Sequence, residues 1–213
     1  RALRAVQDAA HGEIAGIPVL LGIIAKIAER DAVPTTSSAL YDRYLQRYFA
    51  GDWRGRSRAP RDVRALRDAA EKIAWGMATG FDPSSRIDGR SWIDQATRDE
   101  LYSVVDSDRA AIDEIIDADG LLVRHGDYDE PLSQQYRWIH RTIQEHLVGM
   151  HLASMLRTRR EPALELVLAM VQTFRGWQVP LEHFLTALQP MQQEVVLAHL
   201  IAVRDEGDPA GVI

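Results

Sequence analysis

The segment that decides the fold is residues 136–153, which read YRWIHRTIQEHLVGMHLA. Its first part is short and rich in aromatic side chains, which favours a β-strand. Its second part places Ile143, Leu147 and Met150 at helical spacing, which predicts an amphipathic helix. His140 therefore stands at a strand–helix junction, where an imidazole can lie at the rim of a domain and face a partner.

A β-hairpin and two helices are predicted around this junction. Residues 121–125 and 135–139 are short apolar and aromatic runs, and the residues between them include Gly, Asp and Pro, which indicates a hairpin with a long tip. Residues 92–105 and 108–118 are predicted to be helices. Two helices followed by a hairpin is the layout of a winged helix, so this fold is predicted here.

The rest of the chain is predicted to be helical from the spacing of its apolar residues. Pro18 suits the first turn of a helix, and Gly80 suits the position that follows one. Hydroxyls at residues 35–38 offer N-caps, and residues 51–60 break the apolar pattern and are predicted to be a linker. Besides those of the winged helix, helices are predicted over residues 2–14, 18–30 (apolar on nearly every face and therefore buried), 40–49, 63–77, 162–175, 180–188 and 190–204.

The predicted architecture is mainly α: a helical domain plus a winged helix with a short β-hairpin, followed by further α-helices. The predicted domains are a small helical domain with its linker over residues 1–60, the winged helix over 61–157, and a C-terminal helical region over 158–213. The chain does not begin with methionine, so it is expected to be a piece of a longer protein.

The composition narrows the possible partners and compartments. A net charge of −6 argues against nucleic acid and anionic lipid as partners. The most apolar run, residues 17–25, is far shorter than the roughly 20 residues that a membrane span needs, so no membrane partner is expected. The chain has no cysteine. A cytoplasmic protein is expected.

The strand–helix junction at His140, preceded far upstream by Gly16-Ile17-Pro18, resembles the region that follows the nucleotide-binding core in NACHT-type STAND ATPases, which are signalling switches. The resemblance covers roughly residues 1–158. It implies a helical domain, a winged helix and the start of a second helical domain, with Trp53 at a position where tryptophan is common in the family.

The resemblance also implies a nucleotide site. His140 would contact the β-phosphate of ADP, the ring of Pro18 would pack on adenine, and Gly16 and Leu21 would belong to the same pocket. ADP or ATP, with Mg²⁺, would bind only together with a P-loop domain outside this chain. The implied partners are that upstream nucleotide-binding domain, a C-terminal sensor, and further copies of the protein on activation, in bacterial conflict or antiviral defence.

No complete catalytic motif is present in the sequence. The P-loop pattern GxxxxGK[ST] does not occur, so ATP hydrolysis by this chain alone is not expected, while the parent protein is left open as an ATPase. His140, His146 and His151 are spaced by six and five residues, which does not stack two metal ligands on one helix face.

Simpler interpretations stand beside each motif. His140 can cap the helix that follows it, Gly16-Ile17-Pro18 can be a helix start, and the arginine-rich stretch from Arg54 to Arg67 can be a solvated surface. The whole chain can be a non-catalytic helical interaction module. A winged-helix DNA binder is disfavoured because residues 108–119 carry five carboxylates against the single Arg109.

Overall fold

Helices make up most of the chain that can be described. The structure is a computed structural model, and within the described residues it contains nine helices and one three-stranded antiparallel sheet. This confirms the prediction of a mainly α fold with a short β-hairpin. The described residues are 18–29, 31–51, 62–81, 92–105, 109–117, 121–125, 134–173 and 176–207.

The described residues form twelve helices and strands. Their order is α1 (Pro18–Ala28), α2 (Ser37–Ala50), α3 (Val63–Thr79), β1 (Ala96–Thr97), α4 (Arg98–Ser103), α5 (Arg109–Asp117), β2 (Leu122–His125), β3 (Gln135–Trp138), α6 (Arg141–Thr158), α7 (Arg160–Thr173), α8 (Gln178–Ala187) and α9 (Pro190–Gly207).

The chain divides into two compact units. The first comprises Arg1–Ala70 and Gln95–Ile143, and the second comprises Glu71–Asp94 and the residues from Gln144 onward. The division falls within α3 and within α6. The predicted domains over residues 1–60, 61–157 and 158–213 stay predictions, because a compact unit is not by itself a domain that folds alone.

The sheet of the first unit has the strand order β1-β3-β2. The hairpin register pairs Leu122 with Trp138 and His125 with Gln135, while Ala96 of β1 pairs with Tyr136 on the other edge of β3. Helix α4 packs near β1, and α5 packs near β2. The layout of two helices followed by an antiparallel hairpin is the one predicted for the winged helix.

The prediction of one helix over residues 92–105 is wrong. Helix α4 begins only at Arg98, because Thr97 and Glu100 form a capping box. The Glu100 N–H donates to Thr97 Oγ1 at 3.3 Å, and the Thr97 N–H donates to the Glu100 carboxylate at 2.7 Å. The residues just before the helix are extended and pair with β3, so tertiary pairing overrides their local helical pattern.

Helices α1 and α2 pack against each other in the first unit. In α1 the side chains of Ile23, Ile24 and Ile27 are buried, whereas Lys26 is exposed, so the expectation that this helix is buried on nearly every face is wrong. Helix α2 begins after Thr36, whose side chain accepts from the backbone N–H of Ala39 at 3.3 Å, as the run of hydroxyls predicts.

Helix α3 ends just before Gly80, as predicted from the sequence. This glycine has φ 67°, and the N–H of Phe81 reaches back to the carbonyl of Gly76 at 2.7 Å. That six-to-one hydrogen bond around a left-handed glycine is a Schellman motif, which satisfies a carbonyl that the helix leaves open at its C-terminus.

Three tryptophan rings lie close together in the second unit. Trp177 is fully buried, and its ring centroid lies 6.2 Å from that of Trp75 and 5.1 Å from that of Trp92. Nearby, α6 and α8 approach closely at Gly149, where an added Cβ would lie 2.7 Å from the carbonyl oxygen of Pro180. A side chain at position 149 would therefore force these two helices apart.

Several predicted features lie outside the described residues: the helix over 2–14, most of the linker over 51–60, and the hairpin tip. None of the described helices combines the length and the apolar character needed to cross a bilayer.

Candidate functional site

The junction between β3 and α6 places His140 in the first unit. Strand β3 ends at Trp138, and the N–H of the next residue, Ile139, donates to the carbonyl of Leu121 at 2.9 Å. The carbonyl of His140 then accepts from the N–H of Ile143 at 3.2 Å, which closes the first turn of α6. The imidazole is thus held at the start of a helix, half-buried, with backbone on both sides fixed by hydrogen bonds.

A chain of hydrogen bonds connects this imidazole to α2. The Tyr41 hydroxyl donates to Thr142 Oγ1 at 2.7 Å, and Thr142 Oγ1 lies 2.8 Å from His140 Nδ1. The backbone N–H of Thr142 also donates to Nδ1, at 3.3 Å. Because Tyr41 is only 2% exposed, the phenol end of the chain is fixed within the unit. We name these three side chains the Tyr41–Thr142–His140 chain.

The backbone N–H of Thr142 can only donate, so its contact with Nδ1 indicates the tautomer of His140. With the Tyr41 hydroxyl as donor to Oγ1, the Thr142 hydroxyl is free to donate to Nδ1, as the Thr142 N–H does. A neutral imidazole that accepts at Nδ1 carries its proton at Nε2. The site therefore presents one N–H donor from the ring beside the N-terminus of α6, where the helix dipole favours an anion.

The capping role considered for His140 is present in this geometry. The Thr142 N–H at Nδ1 is a contact from the side chain just before a helix to a backbone donor of its first turn. Capping occupies Nδ1, while anion binding would use Nε2, so the two roles are compatible in a single ring.

The other predicted site residues lie on α1 or just before it in the sequence. Pro18 is the first residue of α1, as predicted, but its side chain and all of Gly16 lie outside the described part of the chain. Leu21 is half-buried on α1. Helix α1 packs against α2, which also carries Tyr41, so one helix contacts both halves of the predicted pocket. The convergence of Pro18 and His140 on one nucleotide stays a prediction.

Sequence reasoning missed Tyr41 and Thr142 as parts of the site. In the sequence, Tyr41 is one member of the apolar stripe of α2. The hydrophobic periodicity does not indicate that its hydroxyl makes a hydrogen bond. Thr142 had a usable signal: a hydroxyl two residues after a histidine, at a predicted helix start, is within reach of the ring.

The first unit holds a second polar cluster, formed by α4 and α5. Arg98 is paired with Asp113 at 2.8 Å, the Tyr102 hydroxyl donates to the same carboxylate, and the Arg109 guanidinium lies 5.2 Å from the centre of the Tyr102 ring. Burial raises the pKa of Tyr102, and its hydrogen bond to Asp113 raises it further. Both arginines thus have partners within the same unit, which makes this surface a poor match for phosphates.

The remaining candidates are engaged in structural contacts where they can be seen. His146 Nδ1 lies 3.4 Å from His183 Nδ1 in the core of the second unit, and the His151 ring stacks on Trp75 at 5.4 Å between centroids. Arg67, from the arginine-rich stretch, is paired with Asp42 at 2.7 Å. In the described ranges, no group of three or more His, Asp or Glu side chains could hold a metal ion.

Comparison with known proteins adds no family. The chain matches no protein-family model, and no curated protein is similar to it. The resemblance to NACHT-type STAND ATPases therefore rests on the motifs at Pro18 and His140 and on the winged-helix layout between them.

Proposed function

We propose that this chain is the regulatory helical and winged-helix segment of a NACHT-like STAND ATPase. In this proposal a P-loop domain upstream binds ADP or ATP with Mg²⁺, and His140 donates from Nε2 to the β-phosphate of ADP. The chain thereby contributes to nucleotide-dependent autoinhibition and to oligomerisation on activation, in bacterial conflict or antiviral signalling. Catalysis belongs to the missing domain, because this chain has no P-loop.

The Tyr41–Thr142–His140 chain is the observation that carries the proposal. A neutral ring whose Nδ1 accepts from the Thr142 N–H carries its proton at Nε2, where it can donate to a phosphate oxygen. A hydrogen bond to a charged acceptor contributes about 1.5–3 kcal/mol, which corresponds to roughly ten- to hundredfold in affinity. One such contact is enough to bias a switch whose two states differ by a few kcal/mol.

The proposed switch works through the loss of this contact. In the resting state ADP connects the P-loop domain to the winged helix through His140, while Pro18, with Gly16 and Leu21, closes over the adenine. Exchange of ADP for ATP, triggered at a C-terminal sensor, removes the β-phosphate contact. The winged helix is then released, which permits assembly of several copies.

The test is made in the intact parent protein. Its complete coding sequence is read first, since the proposal requires a P-loop upstream of Arg1. In that protein, His140→Leu should speed the release of bound ADP at least tenfold, because the leucine keeps the bulk of the ring but donates no hydrogen bond. Release is measured by the loss of a fluorescent ADP analogue after dilution into unlabelled nucleotide.

His125→Leu is the matched control, because His125 is an exposed histidine on β2 of the same sheet. The His125→Leu variant should release ADP at the wild-type rate. The proposal fails if no P-loop precedes the segment, or if His140→Leu and His125→Leu release ADP at the wild-type rate.

A further inference from the structure

The second unit contains an apolar cleft formed by α7, α8 and α9, with a volume of about 340 Å³. Its floor includes Phe184, which is fully buried, and Val196, also fully buried. Its rim is formed by Val171 from α7, Leu185 from α8 and Leu197 from α9. We name this feature the apolar cleft. Each of the three helices contributes an exposed apolar residue to the rim, so the opening lies between them.

The apolar side chains at the rim are exposed to solvent. The exposed fractions are 40% for Val171, 37% for Leu185 and 53% for Leu197, and Ile201, which lies one turn beyond Leu197 on α9, is 56% exposed. Contiguous exposed apolar surface of this kind is typical of interaction sites in soluble proteins. The cleft has room for a few large apolar side chains, but not for a compact domain.

Two carboxylates lie at or near the edge of the cleft. Glu182 lines the cleft from α8. Glu194 is exposed and precedes Leu197 by three residues on α9, which places both on one face of that helix. Among the described residues that line the cleft, Glu182 is the one charged side chain. A ligand that fills the cleft would therefore meet the carboxylate of Glu182, with that of Glu194 nearby on α9.

We propose that the apolar cleft docks a short amphipathic helix of a partner protein, whose apolar stripe is flanked by lysine or arginine. Apolar side chains at three- and four-residue spacing would enter the opening between α7, α8 and α9, as in other helix-in-groove complexes. The flanking cations would lie against Glu182 and Glu194. This proposal is independent of the nucleotide site in the first unit.

A second copy of this chain is a poorer occupant. A symmetric dimer places the same patch on both partners, so the carboxylates at the edge of one cleft would face those of the other. Like charges brought together at an interface oppose association. The acidic edge therefore favours a basic partner over self-association.

The test uses residues 1–213 and a fluorescein-labelled peptide of about four helical turns. The peptide has leucine at the a and d positions of the heptad and lysine at the flanking positions, and binding is followed by fluorescence anisotropy. The basic peptide should bind and weaken as salt is added, because exposed charges are screened. A peptide with glutamate in place of each lysine should bind at least tenfold more weakly.

Two variants locate the binding. Leu197→Asp should weaken binding of the basic peptide at least tenfold. Ile139→Asp should not, since Ile139 is a comparably exposed apolar residue (44%) on the first unit.

The double variant Glu182→Gln and Glu194→Gln should weaken binding of the basic peptide about threefold and reduce its salt dependence, as expected for two exposed ion pairs. Glu161→Gln with Glu165→Gln is its control, because both carboxylates are exposed on α7.

Thermal melting of each variant confirms that it is folded. The proposal is overturned if neither peptide binds, if both bind equally, or if Leu197→Asp and Ile139→Asp act alike. It is also overturned if the chain forms dimers in sedimentation that Leu197→Asp dissolves, since the occupant would then be a second copy.

Discussion

Histidine can donate or accept at either ring nitrogen, so the chemistry of His140 depends on which nitrogen its neighbours occupy. Here Thr142 occupies Nδ1 twice, through its hydroxyl and through its backbone N–H. Tyr41 supports the hydroxyl from a helix that lies about a hundred residues earlier in the chain, since the two side chains are 101 positions apart. The residue that would touch a ligand is thus oriented by two residues that would not.

Thr142→Val tests this orientation, because valine has the shape of threonine without the hydroxyl. In residues 1–213 the wild-type ring should show its proton at Nε2 by nitrogen NMR of the imidazole, and Thr142→Val should reduce the fraction of that tautomer. The variant should also lose about 1–3 kcal/mol of unfolding free energy, since the buried Tyr41 hydroxyl loses this acceptor.

Tyr41→Phe in the Thr142→Val background is the internal check. It should recover part of the lost stability, because removing both partners of a buried hydrogen bond costs less than removing one. A wild-type ring protonated at Nδ1 would contradict the assigned tautomer, whatever the stabilities.

Some residues of the candidate site could be predicted from the sequence and others could not. His140 is visible because a histidine between an aromatic strand and a helix is unusual in kind and position. Tyr41 is not, because its partner is distant in sequence and the pattern of α2 records only its apolar ring. Polar contacts between distant residues depend on the tertiary arrangement, which periodicity does not encode.

At the level of elements, the long helices could be predicted and the short strand could not. Helices α2, α3, α6 and α7 carry apolar residues at regular spacing over several turns, so their existence follows from the sequence. Strand β1 has only two residues and depends on pairing with β3, which no local pattern predicts. The sequence did contain the boundary of α4, since Thr97 and Glu100 have the spacing of a capping box.

Gly149 tests the packing of α6 against α8. In Gly149→Ala the new Cβ would lie 2.7 Å from the carbonyl oxygen of Pro180 and 2.8 Å from the backbone N of Phe184, neither of which can rotate away. We expect the variant to lose about 1–3 kcal/mol of unfolding free energy, measured by urea denaturation, as overpacked cores do.

Gly22→Ala is the matched control on α1, because a Cβ at that position meets nothing within 4 Å. Since the backbone is helical there, alanine should stabilise the protein by about 0.5–1 kcal/mol. If the two substitutions change stability in the same direction, the close approach of α6 and α8 is not as described.

At the scale of the whole molecule, burial is distributed unevenly along the chain. Helices α6 and α9 each have 18 residues. Helix α6 is buried along most of its length, from Ile143 to Leu156, whereas Val196 is the one buried residue among the described side chains of α9. The two helices therefore have equal length and similar apolar content, but α6 is packed against the rest of the protein far more extensively than α9. The sequence alone could not show this difference.

Because of this difference in burial, the two helices should differ in their rates of amide hydrogen–deuterium exchange. A helix with little tertiary support opens locally at a low free-energy cost, whereas a core helix opens only when its surroundings do. Deuterium should therefore enter residues 190–203 well before residues 143–156, as followed by mass spectrometry of peptic fragments. Equal labelling of the two stretches would mean that something else shields α9, and that its apolar side chains are already occupied in solution.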